Sequence, residues 1–171
     1  HQVKEIKFGY KINNKIGKNI QINNESTCWK TFFLEERLGY QTDLLTDFSL
    51  KSKMINITNM LKDSWNPVIQ DACLCHGDFW SGNLMFDKNS QPVFIDPAVY
   101  YGDPLTDLAM AKLFGGFNKS FYDAYGYLPN DPELQIYQLY HALNHVNIFG
   151  FSYLGMANNL INQIKESSSF M

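Results

Sequence analysis

Three oxygen-bearing side chains stand at spacings that could do chemistry together. Asp78 closes the run Leu74-Cys75-His76-Gly77-Asp78, Asn83 lies five residues on, and Asp96 follows Val93-Phe94-Ile95. Two short apolar runs, 83–86 and 92–95, flank the turn-forming Asp87-Lys88-Asn89-Ser90, so a hairpin is expected to bring Asn83 and Asp96 side by side. An amide oxygen and a carboxylate beside a second carboxylate suit Mg²⁺, which takes one or two carboxylates and fills its octahedron with water and phosphate. Asp78, near such an ion but not consumed by it, is placed to orient or deprotonate a hydroxyl nucleophile. Taken singly, each of the three is equally an ordinary turn or cap residue. Their joint spacing is what carries the chemical reading.

The elements that must position these groups read as mostly helical. Val3 to Glu25, rich in Asn, Lys and Gly, is expected to be an extended loop and not a regular element. Ser26 or Thr27 is placed to cap a helix through Trp29, Phe32, Phe33 and Leu38, with Gly39 just past its end. Phe48, Leu50, Met54, Ile57 and Leu61 define a second helix after Asp47, stopped by Asn66-Pro67. Ala72 to Cys75 is a short strand. Helices follow over Leu105–Leu113, broken by Gly115-Gly116, and over Lys119–Tyr127. A long buried helix restarts at Asp131-Pro132 and runs to Phe149 and Gly150, and a last helix covers Tyr153–Lys165 before the frayed Ser167-Ser168-Ser169 tail. The aromatic stripe Tyr137, Tyr140, Phe149, Phe151 and Tyr153 is expected to be core and groove wall. The fold class is therefore α+β, mostly helical, with a small central β-hairpin.

Composition narrows the partners. The 171 residues are 45% hydrophobic with 13 Phe, 10 Tyr and 3 Trp, which excludes global disorder and suits one domain with a core. With 14 basic against 17 acidic residues, a net charge of −3 and a single arginine, Arg37, no basic face is available for nucleic acid. No apolar run approaches the roughly 20 residues that span a bilayer, and nothing at His1–Tyr10 marks secretion, so a cytoplasmic location without a membrane partner is expected. Cys28, Cys73 and Cys75 lack metal-ligand spacing and read as reduced, small apolar residues, the last two on one side of a strand.

The order His-x-Asp, then Asn, then an Asp beyond a hairpin resembles the catalytic loop of protein kinases. Its reduced form here, His76-Gly77-Asp78 with four residues before Asn83 and then Ile95-Asp96, resembles the small-molecule kinases related to aminoglycoside phosphotransferases and choline kinases. Within them, four longer stretches are similar to the fructosamine kinase (ketosamine-3-kinase) family. These are His76-Gly77-Asp78-Phe79-Trp80-Ser81-Gly82-Asn83, Ile95-Asp96-Pro97-Ala98-Val99-Tyr100-Tyr101-Gly102-Asp103, Leu113-Phe114-Gly115-Gly116-Phe117, and 137–150 with its Asn144-His145 pair. Phe8-Gly9-Tyr10 and Ile16-Gly17 add to the match, which spans nearly the whole chain.

The resemblance implies ATP- and Mg²⁺-dependent phosphorylation of a sugar hydroxyl on a fructosamine or related ketosamine, a deglycation-type repair. It implies Asp78 as the base and Asn83 and Asp96 as the residues that hold Mg²⁺ against the phosphates of ATP. Trp80 either stacks on the acceptor or belongs to the core. His76 braces the loop, Asp107 receives backbone N–H groups of the loop, Asp103 caps the helix that follows, and Asn144 and His145 form a buried, hydrogen-bonded support. The family's N-terminal lobe, with its phosphate-covering loop, lysine and glutamate, has no counterpart in this sequence, which opens at His1. Residues 1–171 are therefore expected to be a C-terminal lobe that turns over poorly by itself, with a lobe interface left for the missing lobe or for self-association. Two other readings stay open: another small-molecule kinase, for an aminoglycoside, choline or similar acceptor, and a non-catalytic binding module.

Overall fold

The long helix at the centre of the structure is buried nearly all round, its polar Gln138, His141 and Asn144 included, which only a core position allows. The structure, a computed structural model, describes residues 1–69, 71–126 and 133–167. Its elements, in order, are β1 (Lys4–Glu5), β2 (Asn14–Ile16), β3 (Asn19–Gln21), α1 (Trp29–Phe32), a π-helical stretch (Phe33–Gly39), α2 (Tyr40–Asp43), α3 (Phe48–Ser64) and β4 (Ala72–Cys75). After these come β5 (Leu84–Phe86), β6 (Pro92–Phe94), β7 (Tyr100–Gly102), α4 (Leu105–Phe114), α5 (Lys119–Tyr125), α6 (Glu133–Phe149) and α7 (Leu154–Glu166). Helix α6 buries Leu134, Ile136, Tyr137, Leu139, Tyr140, Ala142 and Leu143 against α4, α7 and the π-helical stretch. The molecule is α+β and mostly helical, as its periodicity predicts.

Helix α3 shows how sequence makes an element here. Leu50, Met54, Ile57 and Leu61 recur at steps of four, three and four, so one face is buried, and the Asp47 side chain accepts the Leu50 N–H at 2.7 Å to cap the start. The first helix departs from expectation. Neither Ser26 nor Thr27 caps it; Cys28 holds that position without a side-chain bond, and the helix passes through Gly39 into α2. Gly39 sits inside because the π-helical turn brings the Leu34 carbonyl to 2.9 Å from where a Cβ would stand.

Val3–Glu25 is likewise more regular than its composition predicts. β1 joins β4, which also pairs with β7 in an antiparallel sheet ordered β1-β4-β7, and β2 pairs with β3 as Asn14↔Gln21, Lys15↔Ile20 and Ile16↔Asn19. Side-chain amides replace the apolar contacts that normally announce a strand. Gln21 donates to the Ala98 carbonyl at 2.8 Å and Asn14 to the Val99 carbonyl at 2.8 Å. β5 and β6 are antiparallel with Leu84 opposite Phe94, so Asn83 and Ile95 lie just beyond the ladder.

Of the aromatic stripe expected to be core and groove wall, Tyr137 and Tyr140 are fully buried and Tyr153 half-buried, whereas Phe149 and Phe151 are exposed, Phe149 as part of a pocket wall. Cys73 and Cys75 share the buried side of β4, but Cys28 lies on the surface; all three are free thiols. Helix α5 ends at Gly126 in a left-handed conformation. The expected helix end at Tyr127, the restart at Asp131-Pro132 and the tail residues Ser168-Ser169 lie outside the described residues. No helix of the described residues is long and apolar enough to cross a membrane.

His141 on α6 gives this core a pH dependence. The ring is fully buried, its Nε2 faces the Thr106 carbonyl at 3.3 Å, and burial lowers its pKa from 6.5 to about 3. Between those values the unfolded chain binds a proton that the folded chain refuses, so stability falls as pH falls below about 6.5. From about pH 7 to about pH 5 the His141 contribution to stability drops by about 2 kcal/mol. Urea unfolding at the two pH values should show a loss smaller by that amount in His141→Gln than in the parent chain.

Candidate active site

Strand β4 delivers His76-Gly77-Asp78 to the end of the central sheet, and the loop that follows is fixed by groups beneath it. The Asp107 carboxylate, buried in the first turn of α4, accepts the His76 N–H at 2.7 Å on one oxygen and the Gly77 N–H at 2.8 Å on the other. Burial pushes the Asp107 carboxyl up while those two N–H bonds favour its charged form. Gly77 has φ +82° and crosses Ala98 so closely that a Cβ would lie 2.0 Å from the Ala98 carbonyl oxygen. His76 then ties the loop to the other side of the site. Its Nε2 lies 3.1 Å from the Ile95 carbonyl, its Nδ1 accepts the Asp78 N–H at 3.3 Å, and its own carbonyl accepts the Ala98 N–H at 2.8 Å.

Past Asp78, a short 3₁₀ turn at Ser81–Asn83 turns the Asn83 side chain back. Its amide nitrogen donates to the Asp78 backbone carbonyl at 2.9 Å and to the Asp78 carboxylate at 3.2 Å. That commits the donor end of Asn83 and leaves its amide oxygen as the coordinating end. Burial raises the Asp78 pKa, opposed by the Asn83 hydrogen bond and by nearby His145 and His76. Asp96 follows β6 with φ +52°, a left-handed backbone that Asp tolerates better than most residues.

These groups converge on one pocket of about 510 Å³, whose wall includes Asp78, Trp80, Asn83, Asp96, Asn144 and His145. His76, Asp107 and Asp103 are not on its wall; the first two hold the loop from below, and Asp103 lies at the start of α4. Trp80 is 37% exposed, its indole lying over Gly82, where a Cβ would be 2.3 Å from the ring. It is a wall residue and not core. Asn144 and His145 are on the wall too, but they are bonded neither to each other nor to the loop. His145 Nδ1 faces the His141 carbonyl at 2.9 Å, and its ring stacks on Phe114 with centroids 4.2 Å apart. Asn144 accepts hydrogen bonds from Asn19 at 2.9 Å and Gln41 at 3.3 Å. Pro104 holds the cap position of α4; Asp103, expected there, stands one residue before it, accepting the Leu105 N–H at 2.9 Å and the Tyr137 hydroxyl at 2.5 Å.

The donor set fits a hard divalent cation: the Asn83 amide oxygen and the Asp96 carboxylate share the pocket with a second carboxylate, Asp78. A denser cluster of potential metal-ligating atoms, His1, Cys75 and Asp107, lies elsewhere, with both Asp107 oxygens already engaged by backbone N–H groups. Lys15, Ile16 and Gly17 of the β2–β3 hairpin complete the wall together with Ile148 and Phe149. The sequence reading missed this hairpin's part in the pocket; the Ile16-Gly17 resemblance was the one signal pointing to it.

Comparison with known proteins places the site in a family. The family model for fructosamine kinase matches residues 1–167. The chain belongs to the fructosamine kinase family. It is 40% identical over 166 residues to the chloroplastic protein-ribulosamine 3-kinase of Arabidopsis thaliana, covering 90% of this chain and 50% of that protein. It is also similar to a solved Haemophilus somnus structure assigned to fructosamine-3-kinase, with TM-score 0.79, 29% identity, and coverage of 96% of this chain and 59% of that one. A solved aminoglycoside phosphotransferase shares the fold, with TM-score 0.57 and 20% identity over 82% of this chain and 54% of that one. The chain spans about half the length of the curated relatives it matches.

In this family member the Asp107 clamp makes a sharp structural prediction. Asp107→Asn keeps one acceptor but turns an NH₂ toward the second backbone N–H, which then has no partner. The variant should lose about 2–3 kcal/mol of stability, read as a lower urea midpoint with an unchanged slope.

Proposed function

We propose that the chain is the catalytic-loop and acceptor-binding lobe, the C-terminal lobe, of an ATP- and Mg²⁺-dependent kinase that phosphorylates a hydroxyl of a fructosamine or related ketosamine. The observation that carries this reading is the convergence of Asp78, Asn83, Asp96 and Trp80 on one pocket. In the proposed reaction Asp78 orients the acceptor hydroxyl and takes its proton; its partial burial, which raises its proton affinity, suits that task. Asn83 and Asp96 would hold the magnesium ion. When bound, that ion supplies charge neutralisation on the phosphates of ATP. His76 and Asp107 keep the Asp78 backbone in place, and Trp80 offers a flat apolar wall to the sugar or its amine substituent. The names borne by the relatives, ribulosamine kinase and fructosamine-3-kinase, support a ketosamine acceptor over an aminoglycoside or choline. A deglycation role follows from that acceptor.

The β5–β6 hairpin supports the placement within a larger kinase. Met85, Phe86, Val93 and Phe94 are all exposed on it, an apolar surface suited to a nucleotide-binding lobe or to a second copy of the chain. Consumption of ATP suits a cytoplasmic location, where ATP and glycated amines meet. The test is a MgATP-dependent phosphorylation assay on fructoselysine with the natural full-length polypeptide. Asp78→Asn should lower kcat by about 10²- to 10⁴-fold while the protein remains folded. Phosphorylation that survives the substitution would remove Asp78 as the base, and acceptor and nucleotide binding that are both absent in the parent would remove the kinase reading.

A further inference from the structure

The pocket wall carries a donor set that phosphoryl transfer, as proposed, does not use. Lys15 lies on β2, and its hairpin is fixed at three points: Asn14 to the Val99 carbonyl, Gln21 to the Ala98 carbonyl, and Asn19 to Asn144. Two of those anchors lie within three residues of Asp96, so the backbone of Lys15 is set relative to the chemistry. Lys15 is exposed, lines the pocket and has no ion-pair partner among the described residues, not even Asp78 or Asp96 on the same wall. It is the only lysine or arginine on that wall.

The second observation is Asn144, 3% exposed and also on the wall. A chain of amides fixes which way it faces. Asn147 Nδ2 donates to the Gln41 backbone carbonyl at 2.9 Å, and a carbonyl can only accept. The same nitrogen donates to Gln41 Oε1 at 2.7 Å, so the Nε2 end of Gln41 faces Asn144 and donates to its Oδ1. Asn19 donates to that Oδ1 as well. The Asn144 Nδ2 therefore presents two N–H donors with no acceptor among the described residues, from a buried side chain that opens on the pocket. Elsewhere the wall offers acceptors, Asp78 and the Nε2 of a His145 kept neutral by burial, and the ring faces of Trp80 and Phe149, with the Trp80 indole N–H as a further neutral donor. These suit the hydroxyls and C–H faces of a sugar and leave the donors without a role.

We propose that Lys15 and Asn144 form an anion-recognising subsite of the acceptor pocket, so that the preferred acceptor carries a carboxylate or a phosphate beside its ketosamine group, with Lys15 as the specificity-determining residue. This rests on the kinase reading above for its substrate class. A cation and a neutral amide donor converging on an anion form charge-assisted hydrogen bonds, stronger than those a neutral acceptor makes. A pocket of about 510 Å³ has room for a sugar joined to a small amino acid. The carboxylate of an α-amino acid and a phosphate on the sugar share the required chemistry and differ in where they hang on the acceptor.

The test compares three acceptors on the natural polypeptide: the ketosamine of morpholine, which has no anionic group, the ketosamine of glycine, and the 6-phosphate of the morpholine ketosamine. One of the two anionic acceptors should exceed the first by about tenfold in kcat/KM, mainly through KM. Preference for the glycine adduct assigns a carboxylate, and preference for the 6-phosphate assigns a phosphate. Lys15→Met should abolish the preference and Lys15→Glu reverse it. Equal use of all three by the parent, a preference untouched by Lys15→Met, or a loss confined to MgATP affinity would each overturn the subsite. Should none be phosphorylated, the kinase reading falls on its own, and calorimetric titration of the same acceptors decides the subsite. Tighter binding of an anionic acceptor that depends on Lys15 upholds it, and equal or absent binding overturns it.

Discussion

The site depends on one buried carboxylate. Asp107 spends both oxygens on consecutive backbone N–H groups, those of His76 and Gly77, at the point where β4 ends and the loop bearing Asp78 begins. A strand end has no neighbour to accept its last donors, and without that carboxylate two buried N–H groups would be left unpaired. The price is a charge taken out of water, visible as a carboxyl pushed upward by burial. The arrangement turns a flexible strand-to-loop junction into a rigid one, and a rigid junction is what a base needs if it is to meet a hydroxyl in a fixed geometry. His76 extends the same clamp sideways to Ile95, so the two halves of the acidic site move as one body.

A second constraint is that polar side chains, together with the buried Ile16, hold the β2–β3 hairpin to the rest. Asn14, Asn19 and Gln21 reach Val99, Asn144 and Ala98, Asn23 ties the chain after the hairpin to Ile12 and Asn14, and Arg37 joins them from the π-helical stretch. The Arg37 guanidinium is buried with no carboxylate beside it. It donates to the Ile22 carbonyl and the Asn23 side chain and lies 4.5 Å from the Phe32 ring centre and 4.2 Å from that of Tyr100. Hydrogen bonds are directional where apolar contacts are not, so an amide-anchored hairpin has one register and one tilt. That suits a segment whose Lys15 and Gly17 help to shape a pocket.

The legibility of this molecule in its sequence divides along the same line. Where burial of apolar side chains sets the structure, as in α3, α4 and α6, periodicity and caps located the elements to within a few residues. The chemical residues were legible because their types and spacing are rare in combination, and the pocket gathers Asp78, Trp80, Asn83, Asp96, Asn144 and His145. What was not legible is held by polar side chains acting far along the chain. Nothing in the composition of Val3–Glu25 separates an Asn that solvates a loop from one that reaches residue 144. Gly39 misled for a related reason: a glycine past a helix end and a glycine inside a widened turn look alike until the Leu34 carbonyl is seen against it. Exposed Phe149 and Phe151 follow the helical rhythm of α6, yet Phe149 is its last residue and Phe151 lies in the 3₁₀ turn before α7, where periodicity no longer implies a core partner.

Asp96 shows why the irregular backbone belongs where it is. A non-glycine residue at φ +52° holds a conformation that chains seldom populate, and such positions persist only when their surroundings over-determine them. Here they do: Pro97 restricts the next step, the Ala98 N–H is fixed to His76, and the Ala98 carbonyl accepts Gln21. The same peptide that immobilises Asp96 is therefore bonded both to the loop that carries Asp78 and to the hairpin that carries Lys15. Asp96, Asp78 and Lys15 are thereby tied to one another through a single short segment, and displacing any one of them would mean breaking hydrogen bonds that locate the other two.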